Sequence, residues 1–402
     1  MELIPRKEYL RQLRSFREKQ LIKVITGVRR CGKTTLMKLF INELKLSGVE
    51  DDQIVQVNFE DYDAIELTEP KALHAYLKSR LQPGKTVFFF LDEIQNVPDF
   101  QRVIDSLYIR EGVDIYLTGS NGTMLSSDLA TLLTGRYVEI KMLPLSFAEF
   151  VEGNHVAGAL GEQYRRYLEV GSLPYALSLP NGEAVRIYYE GIFNTILLKD
   201  LLQRMKLSDS SLLISICRFL FENVGSIVSP KRIADYLTTH GRKCDVKTVD
   251  KYMTALTDCF VLYEARRFDI HGKAELARLE KYYLVDLGLR RTVLGNKAMD
   301  VGHTLENVVY LELLRRGFEV YVGRVEETEV DFVAKSAEGF QYIKVSATVR
   351  NADTLARELR PLRNIQDNYP KLLLTLDDDP DMDYDGIVRT NALGWLLRNS
   401  PQ

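Results

Sequence analysis

Gly27-Val28-Arg29-Arg30-Cys31-Gly32-Lys33-Thr34 fits the spacing G-x-x-x-x-G-K-[ST] at every fixed position. That spacing suits a polyphosphate anion. Two glycines let the backbone wrap close to oxygen atoms, so that N–H groups point inward at the phosphates. Lys33 brings a point charge to the β- and γ-phosphates, the Thr34 hydroxyl is placed to ligate Mg²⁺, and Thr35 completes the phosphate-binding set. Further on, Asp92 and Glu93 end an apolar, mostly aromatic run, Val87-Phe88-Phe89-Phe90-Leu91. An acid so placed can hold the water shell of the metal, and its neighbour can polarise an attacking water. ATP and Mg²⁺ are the expected ligands.

These groups act together only if the chain brings them to one edge of a sheet. Residues 21–26 read as a short buried strand running into the loop, and residues 34–44 repeat apolar positions at helical spacing. The helix N-terminus then faces the anion. Residues 53–59 and 86–91 read as further strands. An apolar run ending in carboxylates describes a buried parallel strand that delivers its acids at the C-terminal edge, where the phosphate loop also lies. A strand at 113–118 leads into Gly119-Ser120-Asn121-Gly122. Ser120 and Asn121 are candidates to touch both γ-phosphate and attacking water, although Gly-Ser-Asn-Gly is also good turn chemistry. Arg136 follows Gly135 at the start of a strand over 137–140. It is placed either to stabilise charge on a transferring phosphoryl group, in its own subunit or a neighbour's, or to make a surface ion pair.

The set ITGVRRCGKTTLM, FFFLDEIQ, YLTGSNG, LLTGRYVEI and LPLSFAEF resembles the prokaryotic AAA-superfamily ATPases that carry a C-terminal domain of unknown function with a nuclease-like fold. Gly171-Ser172-Leu173-Pro174 and the 304–333 segment extend the likeness along nearly the whole chain. The resemblance implies an α/β protein with a P-loop AAA-type parallel-sheet core over 1–150 and a helical lid over 151–207. A winged helix-turn-helix over 208–281 and a C-terminal α/β nuclease-like domain over 282–402 would follow. It also makes Arg136 the arginine-finger candidate, acting in cis or, in a homo-oligomer, in trans.

The later segments carry their own signals. Helices at 210–223, from Pro230 to His240, and at 245–258 precede a strand at 260–268 and a turn at Ile270-His271-Gly272, the pattern of a winged helix. Lys247 and Lys251 on the third helix, with Arg266, Arg267, His271 and Lys273 on the wing, are the candidate DNA contacts. The segment is only mildly basic for a dedicated DNA reader, and protein packing is the competing use. In the C-terminal part Glu306 and Asp331 occupy the first two positions of a PD-(D/E)xK frame. Its metal-binding acid falls at Lys344 and its lysine at Ser346, while Glu329 lies on a different strand from the missing acid. Replacing an acid with a cation removes a ligand and repels the metal, so nucleic-acid cleavage is not expected there.

Composition sets the outer bounds. The chain has 402 residues, enough for two to four domains, with 46% hydrophobic and 27% charged residues and a net charge of −3. Any nucleic-acid surface must therefore be a local patch. No apolar run reaches the roughly 20 residues of a membrane helix, and the charged N-terminus lacks the apolar core of a signal peptide. Cys31, Cys217, Cys244 and Cys259 show no C-x-x-C pairing and read as reduced, mostly buried thiols, which points to the cytoplasm. Two functions follow: an ATPase whose hydrolysis is coupled to DNA through its C-terminal parts, and a nucleotide-dependent protein-interaction switch with no nucleic-acid partner.

Overall fold

The computed structural model describes residues 3–120, 122, 133, 135–154, 158–196, 200–202, 209–295 and 300–398. They gather into two compact units. The first comprises Met1–Pro144, Leu173–Tyr175 and Asp258–Phe260; the second comprises Leu145–Ser172, Ala176–Thr257 and Val261–Gln402.

In the first unit, strands β1 (Ile22–Thr26), β2 (Ile54–Asn58), β3 (Val87–Asp92), β4 (Val113–Gly119) and β5 (Tyr137–Lys141) form a parallel sheet in the order β2-β3-β4-β1-β5. Helices α1 (Lys7–Ser15), α2 (Lys33–Leu46), α3 (Pro70–Ser79) and α4 (Phe100–Tyr108) accompany it. Every residue of β1 and β3 is buried, as expected for strands packed on both faces. Lys23 is tolerated inside β1 because its ammonium pairs with the equally buried Asp114 and donates to the Leu21 carbonyl at 2.9 Å. The Tyr116 hydroxyl and the Glu18 amide hydrogen-bond the other Asp114 oxygen, at 3.0 and 2.8 Å.

The second unit opens with helices α5 (Phe147–Gly153), α6 (Leu160–Val170) and α7 (Gly182–Thr195). Then come α8 (Ser210–Glu222), the short strand β6 (Ile227–Val228), α9 (Pro230–Thr239), α10 (Val246–Asp258) and the hairpin β7 (Leu262–Asp269) and β8 (Ala274–Leu284). Ser229 caps α9 by accepting from the Arg232 amide at 3.2 Å, with Pro230 in the first turn. After α11 (Leu287–Leu294) and α12 (Val301–Arg315), strands β9 (Glu319–Val325), β10 (Thr328–Ser336) and β11 (Gly339–Ser346) form a meander. It continues through α13 (Ala352–Arg363), β12 (Lys371–Thr375), β13 (Met382–Tyr384), β14 (Ile387–Asn391) and α14 (Ala392–Leu397).

The described strands of this unit join in one sheet of order β13-β14-β12-β11-β10-β9-β7-β8-β6. β8 runs across residue 281, and β7 pairs in parallel with β9, with Arg267 opposite Val322. The hairpin read from sequence as a wing is thus an interior part of a larger sheet. No helix among the described residues is long and apolar enough to cross a membrane.

Candidate functional site

The chain leaves β1 at Thr26 and turns at once, because the Met142 amide donates to the Thr26 carbonyl at 2.7 Å and brings the end of β5 against the loop. A Cβ on Gly27 would lie 2.1 Å from the Met142 carbonyl oxygen, so only glycine fits. Gly32 closes the loop with φ 108° as the N-cap of α2, a conformation that leaves the first amides of the helix facing the loop. Val28, Arg29 and Cys31 are buried and Arg30 is exposed, also at positive φ. Arg29 pairs with Glu60 at 3.0 Å. Burial raises the Cys31 thiol pKa above its ordinary value, which keeps it a neutral packing group beside the positive charges of Lys33 and Arg6. Lys33 is buried inside the loop. Its Nζ donates to the carbonyls of Gly27 and Val28 at 3.0 and 3.3 Å and lies 3.7 Å from Glu93 Oε1.

The Thr34 hydroxyl donates to Asp92 Oδ2 at 2.7 Å, joining the start of α2 to the end of β3. Thr118, on β4, donates to the other Asp92 oxygen and accepts from the Glu93 amide at 2.9 Å. Burial raises the Asp92 pKa, while the Thr118 and Thr34 hydrogen bonds pull it back by favouring the carboxylate. Glu93 sits at φ 55°, a left-handed conformation that a non-glycine residue holds only when its surroundings fix it. Its Oε2 accepts from Ser120 Oγ at 3.1 Å and from Gln95 Nε2. A hydroxyl and a carboxylate 2.7 Å apart, both oxygen donors beside a phosphate-type loop, fit the one or two protein ligands that Mg²⁺ takes alongside phosphate oxygens.

The sequence-derived set thus divides. Residues 27–35, Asp92, Glu93 and Ser120 meet at the C-terminal edge of the sheet, whereas Asn121 lies outside the described residues. Arg136 does not join them. It precedes β5, whose first residue pairs with Ile22 at the beginning of β1, so it sits at the opposite edge, roughly 15 Å along the strands from the loop. There it pairs with Asp105, lies 5.6 Å from the Tyr108 ring centroid and remains 42% exposed. A role in its own subunit's site is not available to it in this arrangement.

Sequence reasoning missed three residues. Gln95 and Thr118 were within reach of it, standing close to Glu93 and Ser120. Arg6 gave no signal: its buried guanidinium donates to the carbonyls of Cys31 (3.1 Å) and Leu143 (2.6 Å), far away in the sequence.

In the second unit Lys247 and Lys251 are exposed on α10. Arg266 is engaged by Glu264 at 3.1 Å and Glu275 at 3.6 Å, and Arg267 is half-buried on the doubly paired β7. Glu306 and Asp331 are buried, each bound by a lysine. Lys281 Nζ lies 3.0 Å from Glu306 and 2.7 Å from Glu329; Lys344 Nζ lies 2.9 Å from Asp331 and 3.4 Å from Glu358. Glu329, set aside on strand position alone, is therefore a partner in this network.

A parallel sheet of order β2-β3-β4-β1-β5, with the phosphate loop after β1 and paired acids after β3, defines a P-loop AAA-type ATPase fold. The comparisons agree. A family described as an AAA domain matches residues 19–151, and one described as a domain of unknown function, DUF8612, matches residues 161–300. An uncharacterised protein of Haemophilus influenzae is 35% identical over 400 residues, covering 98% of this chain and 99% of that one. The chain belongs to the same family as that protein, a family whose first domain is of the P-loop AAA type. An uncharacterised protein of Methanocaldococcus jannaschii is 28% identical over 330 residues, 78% of this chain and 71% of that one. Among solved structures, the Walker-type ATPase of Pyrococcus abyssi shares the fold with a TM-score of 0.52 at 15% identity, over 72% of this chain and 96% of that one.

Proposed function

We propose that this chain is a Mg²⁺-dependent ATPase of the cytoplasm. The observation that carries the reading is the unbroken chain of hydrogen bonds from Thr34 through Asp92 and Thr118 to the Glu93 amide, which ties the phosphate loop to the Asp92 carboxylate and to the backbone that presents Glu93. In this reading the residues from Gly27 to Thr35 hold the triphosphate, with Lys33 on its β- and γ-phosphates. Thr34 and Asp92 hold the cation, which supplies charge neutralisation on the phosphate oxygens when bound. Glu93 takes the proton of the attacking water, Ser120 stands beside the γ-phosphate, and Asn121 is a further candidate for that role. Arg136, on the far edge of its own sheet, is left to serve the site of a neighbouring copy; an ATP-bound protein that sediments as a monomer would remove that role. The test is a pair of variants. Lys33→Ala loses nucleotide binding, whereas Glu93→Gln retains binding and loses turnover by about 100-fold or more. Normal hydrolysis by Glu93→Gln would refute the assignment of the base.

What the hydrolysis drives is a second question. The segment of α8, α9, α10 and the β7–β8 hairpin is read as a winged helix, and the C-terminal part as a nuclease-like frame that has lost its metal site. Exposed Lys247 and Lys251 suit contact with DNA phosphates. The pairing of β7 into the larger sheet and the carboxylates around Arg266 count instead for a nucleotide-dependent protein-interaction switch. ATP turnover measured with single-stranded, duplex and branched DNA separates the two: stimulation supports the DNA reading, and an unchanged rate with all three supports the switch.

A further inference from the structure

The backbone groups around the second loop glycine divide into used and unused. The Cys31 amide donates to the Val28 carbonyl at 3.2 Å, and the Gly32 carbonyl accepts from the Leu36 amide at 2.9 Å. The Cys31 carbonyl accepts from Arg6 Nη1 at 3.1 Å. Among the described residues the Gly32 amide has no acceptor, and a backbone N–H at a closely packed turn needs one. In a trans peptide the C=O and the following N–H point in opposite directions. By holding the Cys31 carbonyl, Arg6 therefore aims the Gly32 N–H away from itself. Packing backs the glycine on that side: a Cβ on Gly32 would meet Met142 Cε at 3.4 Å, and Arg6 Nη1 and Pro174 Cγ at 3.8 Å.

Arg6 is itself held from several directions. It is 4% exposed and sits at φ 48°, a left-handed conformation that a non-glycine residue keeps only when its surroundings fix it. Its Nη2 donates to the Leu143 carbonyl at 2.6 Å, just past β5. The guanidinium lies 4.9 Å from the centroid of the Tyr9 ring, whose hydroxyl accepts from the Leu143 amide at 3.0 Å. The helix that follows, α1, is tied to α2 by the two hydrogen bonds of Arg14 to Glu43, at 2.9 and 2.7 Å. A planar fork with donors on separate nitrogens bridges the two carbonyls, which the single point of an ammonium does not.

We propose that Arg6 is a positioning residue of the nucleotide site: it turns the Cys31–Gly32 peptide so that the Gly32 N–H is presented to the phosphates of ATP. The inference rests on the reading of residues 27–35 as the phosphate loop. It puts part of the site's machinery in the segment before β1, outside the residues 19–151 that the AAA domain family matches.

The first measurement uses the unaltered full chain. Saturating ADP with Mg²⁺ should slow hydrogen exchange at the Gly32 amide, resolved by fragmentation mass spectrometry; bound ADP without that slowing overturns the proposal. The second uses Arg6→Met, which fills similar space without donors, and Arg6→Lys, which keeps the charge but not the fork. Both should raise the Kd for ADP by about 10-fold or more, the worth of one hydrogen bond to a charged group. At saturating ADP both should leave the Gly32 amide exchanging freely while the Lys33 amide stays protected. An arginine that merely supported the fold would lower the urea midpoint and leave Gly32 as well protected as in the parent once ADP saturates, and that result overturns the proposal. So does parental affinity in either variant. If Lys33→Ala loses ADP binding while the Arg6 variants keep it, only this inference fails. If Lys33→Ala binds ADP as tightly as the parent, the reading of the loop has failed first.

Discussion

The two units each bury a pair of acids at strand or helix positions, and they satisfy them by opposite means. In the first unit the partners of Asp92 and Glu93 are mainly neutral: the hydroxyls of Thr34, Thr118 and Ser120 and the amide of Gln95. Neutral donors orient a carboxylate and leave its charge in place. In the second unit Glu306 and Asp331 meet the ammonium groups of Lys281 and Lys344 instead. The difference separates acids held by neutral donors beside a phosphate-type loop from acids already occupied by the protein's own cations. The same residue type, a buried lysine, does different work in each. Lys33 touches loop carbonyls and stands 3.7 Å from Glu93, available to a phosphate, whereas Lys281 is held between Glu306 and Glu329.

The largest effect that could break this contrast comes from making one substitution in both places. Lys281→Met strands two carboxylates, one of them buried, and removing one partner of a buried pair costs about 3–5 kcal/mol. Lys33→Met removes a side chain that donates to two loop carbonyls and stands 3.7 Å from Glu93, but Glu93 keeps its Ser120 and Gln95 donors, so the expected cost is smaller, about 1–2 kcal/mol. Urea unfolding, with hydrogen exchange reporting each unit separately, measures both. Comparable losses at the two lysines would show that Lys33 is as structural as Lys281, and the contrast would fall.

Much of the first unit is legible because its signals are local. Buried strand, glycine-bounded loop and amphipathic helix follow one another between Ile22 and Leu46, and the acids after β3 end the aromatic run Val87 to Leu91. Thr118 is harder to see. Its contact with Asp92 depends on the register that sets Leu91 beside Leu117, which no single stretch encodes. Arg136 looks like part of the site until parallel pairing with β1 carries it to the other edge. The second unit depends more on such pairings. Lys344 is readable as a missing metal ligand by its place in a motif, but Lys281 enters only because β8 sets it beside Glu306 on α12 and Glu329 on β10. The merging of the hairpin into the larger sheet rests on β7 meeting β9 in parallel, again a contact between distant segments.

A smaller and sharper test uses pH. Burial raises the Glu306 carboxyl from its ordinary 4.5 to about 7, the Asp331 charge adding to the effect and Lys281 and the Tyr283 hydroxyl opposing it. Burial works against the charge of Lys281 too, but the carboxylates of Glu306, Glu329 and Asp331 outweigh it and hold its pKa above the usual lysine value. Between pH 4.5 and 7 the folded chain therefore keeps a proton on Glu306 that the unfolded chain releases. The stability this group contributes is present in full below pH 4.5 and is lost as pH rises to about 7. Glu306→Gln, which never ionises, should flatten that slope and be at least as stable as the parent chain at pH 8. Urea midpoints at pH 5, 6, 7 and 8 decide it. Equal slopes in parent and variant would mean that Glu306 carries a full charge throughout.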